Sequence, residues 1–422
     1  MDKIVSANAE HKSTGKAQKM LFKLAEISVS VPLISEYTAE IGAELNADLR
    51  QQAQAHAAQK LRPQHAEPPG VVTVSVDGGR IMTRAEGGRG VHEPVWKETK
   101  NACLLTMSST VSSVDPHPQL PTCFRHQAYV EKLVREMHAA AAGATPKGSE
   151  SPTKQARDEC LANDLECAAE DATDLSPSAE PASSATSEKP SWQPRRLVRS
   201  CLSSLCCSDG FGPLVAGEAQ RRGFYQAPRR AFLGDGQAWN WTLQARHFPD
   251  FVPITDFVHP LGYLYDVAQV LAPADAWPVC LKAAEACWQG RVADVLAALR
   301  EWQAQHPMPE GEKLSARDPR AVVARTVTYL SNNQSRMNYP EYRQAGLPVS
   351  SAMIESLIKE INYRVKGTEK FWNRPAGAEH ILQVRAAALS DDERLSEWIL
   401  NRPGSFFHRA STQKQHSLAA AA

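Results

Sequence analysis

Two short apolar runs, each ending in an aspartate beside glycine, constrain this chain more than any other feature. The run VVTVSV (71–76) meets Asp77, and the run RAFL (230–233) meets Asp235 after one glycine. Runs rich in β-branched and aromatic residues favour strands, so the sequence predicts two buried strands with a carboxylate where each one ends. Taken alone, either Asp-Gly pair is also typical of a hairpin turn, which favours a structural role for a single acid.

A third acid, Glu355, lies in residues 351–365, where the apolar spacing predicts a long amphipathic helix. Glu355, Lys359, Asn362 and Lys366 follow one another at i, i+4, i+7 and i+11 and form a polar row beside the apolar stripe. Such a row can bind a metal ion at its start and phosphates further along. A Glu–Lys pair at i, i+4 is also an ordinary feature of a helix surface.

The three acids together support a more specific interpretation than any one of them. Phosphodiester chemistry with two metal ions needs those ions about 3.5–4 Å apart. Mg²⁺ binds a few carboxylates together with waters and substrate phosphate. We therefore predict that Asp77, Asp235 and Glu355 are catalytic and hold Mg²⁺ (or Mn²⁺), as in a transposase-like nuclease.

Two further candidates, Asp256 and His259, follow a third predicted strand at 251–257. The neighbouring strand carries Asp235, so both side chains are predicted to reach the metal site, where a histidine can orient a phosphate or carry a proton. The alternative is that Asp256 caps the next helix and His259 lies in its first turn.

The order of the predicted elements indicates an α/β fold. Three antiparallel strands (71–76, 81–83 and 102–107) precede a β-α-β-α alternation, the order found in a ribonuclease-H-like catalytic domain. Residues 272–345 are predicted to be helical throughout and to form an all-helical insertion. At 422 residues, the chain is long enough for two or three domains.

The predicted regions follow from these patterns and from two stretches of low complexity. They are an N-terminal helical DNA-binding region (1–66), two parts of the ribonuclease-H-like domain (67–110 and 196–271), a variable and largely disordered insert between them (111–195), the helical insertion (272–346), the final catalytic-domain helices (347–402) and a disordered tail (403–422).

The N-terminal region carries two predicted helices joined by a short connection within residues 18–61. Ser30 is a predicted N-cap, and Pro32 lies in the first turn, where its missing N–H is not needed. With Ser35, Glu36 and Thr38 facing outward, the pair is typical of a helix-turn-helix. A helical hairpin that only packs is the alternative, and the residues do not decide between them.

Overall charge gives no sign of a nucleic-acid partner, because 47 basic residues balance 47 acidic ones. Local clusters do, although each could also be a solvated surface. Trp372 lies between two cations, a mixture used to stack on unpaired bases. The predicted DNA-binding residues are Arg229, Arg230, Lys359, Asn362, Arg364, Lys366, Lys370, Trp372 and Arg374.

Nine scattered cysteines favour thiols in a reducing compartment. No apolar run reaches the roughly 18–20 residues that span a bilayer. Without a secretory signal, these features predict a soluble cytoplasmic protein that does not enter a membrane.

Four sequence blocks in order resemble one family. They are VSVDGGRIMTRAEG with WKETKNACLLTM, then GDGQAWNW, then TDFVHPLGYLYD, then SSAMIESLIKEINYRVKGTEKFWN. They are similar to the ISKra-type insertion-sequence transposases of bacteria, in the DDE superfamily. The similarity covers most of residues 20–110 and 195–400.

This resemblance implies that the family's catalytic triad falls on Asp77, Asp235 and Glu355, and its Asp-x-x-His element on Asp256 and His259. It implies hydrolytic nicking at the element's ends and transfer of the 3′-OH into target DNA. A homodimer or higher oligomer would hold the two DNA ends together.

One departure matters for function. Relatives often carry a Cys-x-x-Cys zinc element ahead of the helix-turn-helix, and nothing here matches it. Two alternatives therefore stay open: a non-catalytic DNA-binding protein derived from a decayed transposon, and a related nuclease that cuts without strand transfer.

Overall fold

The computed structural model of the chain describes residues 1–84, 95–141, 193–309, 314–350, 352–366 and 372–402. Several sequence predictions fall outside these ranges. They concern most of the predicted disordered stretch, the DNA-binding candidate Lys370 and the tail from residue 403.

A single mixed sheet of five strands organises the described residues and confirms the predicted α/β class. Its strands are β1 (Val71–Thr83), β2 (Val95–Ser108), β3 (Arg195–Ser204), β4 (Arg229–Gly234) and β5 (Val252–Thr255). The order across the sheet is β3-β2-β1-β4-β5. The β1–β2 and β2–β3 pairs are antiparallel, whereas β1–β4 and β4–β5 are parallel.

The first predicted strand is longer than expected, and Asp77 does not end it. β1 runs through the Asp77-Gly78-Gly79 segment and keeps its pairing with β2 as far as Thr83↔Val95. The glycines serve close packing here: a Cβ at Gly79 would lie 2.6 Å from Oγ1 of Thr99. The hairpin-turn alternative for Asp77 is therefore wrong.

The third antiparallel strand also differs from the prediction. Residues 81–83 are the end of β1, and the strand that pairs with the far side of β2 is β3. Because β2 and β3 lie far apart in the sequence, local patterns could not identify their pairing.

Fourteen α-helices occur among the described residues, and most match predicted segments. They are α1 (Asp2–Glu10), α2 (Thr14–Ala25), α3 (Val31–Ala57), α4 (Gln127–Ala141), α5 (Ser208–Arg221), α6 (Ala238–His247), α7 (Val258–Leu271), α8 (Ala276–Trp288), α9 (Val292–Gln305), α10 (Pro319–Asn333), α11 (Tyr339–Gln344), α12 (Ala352–Val365), α13 (Pro375–Ala388) and α14 (Arg394–Asn401). In the described ranges, no helix has the length and apolar character needed to cross a membrane.

The sheet separates two apolar cores because successive strand residues face opposite sides. On one side, Val71 and Ile81 of β1 pack with residues of α7, α8, α10 and α12, such as Leu261, Trp288 and Leu357. On the other side, the remaining β1 valines pack with residues of α5 and α6, such as Phe211. The helical stretch after β5 therefore covers only one face of the sheet.

The N-terminal helices pack against the C-terminal ones. Ile41 of α3 shares a core with Val384 of α13 and Ile399 of α14. The predicted N-cap is confirmed, since the hydroxyl of Ser30 accepts a bond from the Leu33 amide. Thr38 does not face outward: it is 4% exposed and its hydroxyl donates to the Ile34 carbonyl.

Candidate metal centre

Three aspartates meet at one edge of the sheet because β1, β4 and β5 run parallel. β4 pairs with β1 only as far as Leu233↔Ser75 and ends at Gly234, whereas β1 continues beyond it. Asp77 thus lies just past the paired region, Asp235 follows β4 directly, and Asp256 follows β5 directly. The uncovered edge of β1 and the two strand ends form the floor of the site.

The tightest part of the site consists of Asp256, His259 and Glu355. The carboxylate of Asp256 is fully buried, and its Oδ2 lies 2.9 Å from Nδ1 of His259 in the first turn of α7. Glu355 reaches the same point from the first turn of α12. One ligand atom from each of the three residues lies within 4.8 Å of the other two. This geometry can hold a metal ion.

The cap of α7 is Phe257, and no side chain makes a cap bond there. Phe257 therefore occupies the cap position that the alternative gave to Asp256, whereas His259 lies in the first turn, as that alternative also expected. The carboxylate of Asp256 pairs with His259.

Burial and like charge act together on two of the acids. Burial raises the pKa of Asp77 to about 7, and the neighbouring carboxylate of Asp235 adds to the rise. Burial also raises the pKa of Glu355 to about 7, with the charge of Asp256 as the next cause. Neighbouring carboxyl groups disfavour each other's ionisation. A bound divalent cation removes this repulsion and stabilises their charged form.

His259 responds in the opposite direction. Burial disfavours its charged form, but the hydrogen bond to Asp256 and the negative charges of Asp256, Asp235 and Asp77 outweigh burial and raise its pKa to about 9. Without a bound cation, these negative charges favour the protonated imidazole. The protonated ring is a hydrogen-bond donor, whereas the neutral ring can offer a nitrogen to a metal ion together with Asp256 and Glu355.

Asp235 is held rigidly by its own loop. Its carboxylate accepts bonds from the Gln237 amide at 2.9 Å, from Nε2 of Gln237 at 2.5 Å and from Nδ2 of Asn240 at 2.5 Å. Gly234 allows this contact, because a Cβ there would lie 2.7 Å from Nδ2 of Asn240. The glycine permits close approach and does not mark a hairpin.

A second contact ties the same loop to α10. The hydroxyl of Tyr329 donates to the Asp235 carbonyl at 2.9 Å. Gly236 has a φ of +96°, and a Cβ there would lie 2.6 Å from the Tyr329 ring. A side chain at position 236 would therefore be strained by the backbone and by this ring together.

The structure brings all five predicted site residues into one neighbourhood but groups them differently from the prediction. In the part of the chain that the structure describes, the metal-compatible group is Asp256, His259 and Glu355, and the predicted triad is not such a group. Asp77 faces this group, since its pKa responds to Asp235, His259 and Glu355. The sequence assigned Asp256 and His259 an accessory part, whereas they lie nearest to Glu355.

Sequence reasoning missed the residues that position the site. Asn240 lies in the GDGQAWNW block, where its nearness to Asp235 was a usable signal. Tyr329 comes 94 residues after Asp235, within an ordinary helical pattern, and nothing in that pattern distinguishes it.

The predicted DNA-binding residues on α12 divide into two groups. Lys359 is exposed and pairs with Glu136 at 3.0 Å, while Asn362 and Lys366 are half-buried beside it. Arg364 is buried on the other side of the helix and donates to the Asn8 carbonyl at 2.7 Å. Its predicted role in DNA binding is wrong, because its guanidinium belongs to the contact between α12 and α1.

Arg229 and Arg230 lie at the opposite end of β4 from the acids. Arg229 donates to the hydroxyl and the carbonyl of Ser109, both at 2.8 Å, and Arg230 donates to the Tyr225 carbonyl at 2.7 Å. Both guanidinium groups anchor chain segments there. The structure therefore does not bring these arginines to the site.

Trp372 pairs with Thr83 at the end of β1, and Arg374 lies two residues beyond it. The indole Nε1 of Trp372 donates to the Val365 carbonyl at 3.1 Å, and its backbone bonds to Met82 and Arg84. The ring is half-buried against the core, which limits stacking on a base. Arg374 is exposed just before α13.

The sequence matches no protein-family model, and a search of curated proteins finds no match.

Proposed function

We propose that this chain is a DDE transposase that cleaves DNA at the ends of an insertion sequence and joins the 3′-OH ends to target DNA. One observation carries the proposal. Ligand atoms of Asp256, His259 and Glu355 lie within 4.8 Å of one another where parallel strands meet one helix, and Asp77 and Asp235 are close enough for their charges to act on His259. Buried acids with raised pKa values, as at Asp77 and Glu355, are typical of functional sites.

The sheet supports a ribonuclease-H-like assignment for the catalytic domain. Three antiparallel strands followed by two parallel ones, in the order β3-β2-β1-β4-β5, are what that assignment requires. The helices α8 to α11 correspond to an insertion between Asp235 and Glu355, and the contact from Tyr329 to Asp235 makes that insertion part of the site.

The residues fit a divalent cation such as Mg²⁺ or Mn²⁺. Carboxylate oxygens are the ligands these hard ions prefer, and burial of several acids together creates the need for positive charge. Asp77, Asp235 and Glu355, with Asp256, would hold the ions. When bound, the ions supply Lewis-acid stabilisation of the attacking and leaving oxygens.

The remaining side chains orient the acids of the site and donate hydrogen bonds. Gln237 and Asn240 fix the carboxylate of Asp235 in one orientation. The bond to Asp256 orients the ring of His259. Protonated His259 can then donate a hydrogen bond to a phosphate oxygen, which stabilises the charge that develops there.

The proposed partner is DNA. A homodimer or higher oligomer of this chain would bind it in the bacterial cytoplasm. The helices α2 and α3 are the proposed end-binding region. Ser35 and Glu36 are exposed on α3, whereas Thr38 is not available for DNA.

A cleavage assay tests the proposal directly. The full chain is incubated with Mg²⁺ or Mn²⁺ and a supercoiled plasmid carrying the inverted repeats that flank its gene. We expect nicking by the wild type and a loss of about 10³-fold or more in Asp235→Ala. Asp250→Asn, an exposed acid before β5, is the matched control and should cleave like the wild type.

The products separate the alternatives. Covalent insertion of the cut 3′ ends into a second plasmid supports a transposase, whereas cutting without insertion indicates a nuclease. If the wild type binds the repeats but cleaves no better than Asp235→Ala, the enzyme assignment is wrong and a non-catalytic DNA-binding protein is the better description.

A further inference from the structure

The part of the β1–β2 hairpin beyond Asp77 carries cations and indoles on one face. Cross-strand partners point to the same side of a sheet, and the register pairs Gly78 with Lys100, Arg80 with Glu98 and Met82 with Trp96. Alternation along β1 turns these residues away from the side that Asp77 faces. We call the set Arg80, Trp96, Lys100, Trp239 and Lys366 the hairpin surface.

Positive charge on the hairpin surface is only partly balanced. Lys100 is buried and pairs with Glu98 at 2.7 Å, so that this glutamate, which lies opposite Arg80, is already engaged. Arg80 is exposed, and no acid pairs with it among the residues that the structure describes. Lys366 lies on the same surface, since its Nζ is 5.8 Å from the ring centroid of Trp96, and the charge of Arg80 adds to the effect of burial in lowering the pKa of Lys366. Two neighbouring cations favour an anionic ligand.

The aromatic rings on this surface are arranged for contact with planar groups. Trp96 is 41% exposed, and Nζ of Lys366 lies 5.8 Å from its ring centroid. Nζ of Lys100 lies 3.9 Å from the ring centroid of Trp239. Indoles flanked by cations occur in surfaces that stack unpaired bases and contact the phosphates between them.

The hairpin surface lies close to the acids along the chain, on the opposite face of the sheet from Asp77. Arg80 follows Asp77 by three residues in the same strand, a distance of about 10 Å along β1. At its other end, Nε1 of Trp239 donates to Oε1 of Gln237 at 3.2 Å, and Gln237 in turn donates to the carboxylate of Asp235. A strand lying on this surface would therefore pass within a few nucleotides of the metal centre.

We propose that the hairpin surface binds the DNA strand next to the cleavage point, with Trp96 stacked on an unpaired base and Arg80 and Lys366 contacting its phosphates. This inference rests on the proposed function, since it describes how the substrate of the same site is held. It assigns specificity for a locally unpaired DNA end to residues outside the metal centre.

Equilibrium binding without divalent ions tests the inference. Fluorescence anisotropy of the full chain in EDTA compares a labelled blunt duplex with the same duplex carrying three unpaired nucleotides at its 3′ end. Trp96→Ala should weaken binding to the unpaired end about 10-fold and leave the blunt duplex almost unchanged, whereas Trp96→Phe should keep most of the affinity. Arg80→Ala should weaken binding to both DNAs and reduce the salt dependence by about one phosphate contact.

Lys282→Ala, an exposed cation on α8, is the matched control and should bind like the wild type. Thermal melts establish that each variant is folded. If Trp96→Ala and Arg80→Ala bind both DNAs like the wild type while the wild type still cleaves, the hairpin surface is not a DNA site and the proposed function stands. If Trp96→Ala weakens both DNAs equally, stacking on an unpaired base is refuted. A wild type that binds no DNA would overturn this inference and the proposed function together.

Discussion

Two clusters of buried charge in this protein use the same residue types in opposite ways. In the candidate metal centre, Asp77, Asp235, Asp256 and Glu355 have one histidine, His259, near them. In the second cluster, between α5 and α14, the carboxylate of Glu218 is fully buried yet lies 2.7 Å from Arg394 and 2.9 Å from Arg221. We call the second the balanced cluster.

The pKa values record the difference. Burial alone would raise the pKa of Glu218, but Arg394 and Arg221 outweigh it and hold that pKa far below the usual range. In the metal centre, burial and neighbouring acids raise the pKa of Asp77 and Glu355 to about 7. Burial therefore does not identify a functional acid. A buried acid differs from Glu218 when the cations near it among the described residues do not outweigh its burial, as at Asp77 and Glu355, because a bound ion can then supply the missing positive charge.

The largest expected effect concerns catalysis. Glu355→Gln keeps the shape of the side chain but removes a metal ligand, so the single-turnover rate of cleavage should fall about 10⁴-fold. The melting temperature should not fall, since no buried partner loses its charge. A rate within about tenfold of the wild type would show that Glu355 lies outside the reaction.

The balanced cluster should behave in the reverse manner. Glu218→Gln removes the most deeply buried counter-charge of Arg394 and Arg221 and leaves them, within the described ranges, only Asp392, so urea unfolding at pH 7 should show a loss of about 3 kcal/mol. The cleavage rate per folded molecule should be unchanged. Exposed Glu301→Gln on α9 is the control, and a loss as small as that of the control would mean that the ion pairs contribute little.

The pH dependence of stability sharpens the contrast. The folded pKa of Asp77 lies at about 7, above its ordinary value of 3.8, so its protonated form stabilises the fold. Without metal, stability should therefore fall as pH rises from about 4 to about 7, and Asp77→Asn should recover about 1–2 kcal/mol at pH 8 after allowance for solvent screening.

Glu218 has the opposite sign, because its folded pKa lies below its ordinary value of 4.5. Its contribution is complete above that value and is lost as pH falls below it. Urea titrations from pH 3 to pH 8 should thus show both variants departing from the wild type as pH rises, with Asp77→Asn more stable and Glu218→Gln less stable than the wild type. Identical profiles for wild type and Asp77→Asn would contradict the raised pKa.

The smallest expected effect is stabilisation by metal ions. Saturating Mn²⁺ or Mg²⁺ should raise the melting temperature of the wild type by about 2–4 °C, because the ions bind the folded state alone. Asp77→Asn should show a smaller shift, and Glu218→Gln should show the full shift. An equal shift in Asp77→Asn would locate the bound ion elsewhere.

Much of the architecture was readable from local patterns. The strand at β4, the helices α7 and α12 and the acids that they carry follow from periodicity and from glycine beside aspartate. The predictions that were wrong depend on contacts between residues far apart in the sequence. β1 continues past Asp77 because β2 keeps pairing with it, and Arg364 is buried because Asn8, 356 residues earlier, accepts its bond.

The observed grouping of the acids differs from the predicted one for a related reason. Sequence spacing identifies which acids reach the sheet edge but does not give the distances between them. Asp256 lies beside Glu355 because β5 ends where α12 begins its first turn, and that contact joins segments about a hundred residues apart.

The hydrogen bond from Tyr329 to the Asp235 carbonyl also has a consequence for movement within the protein. The Tyr329 ring packs beside Gly236, and its hydroxyl donates to the Asp235 carbonyl, so α10 is joined to the loop that carries one acid of the candidate metal centre. Any ligand that tilts this helix would shift a single carboxylate against the other three, which gives the helical insertion direct control over the assembly of the centre.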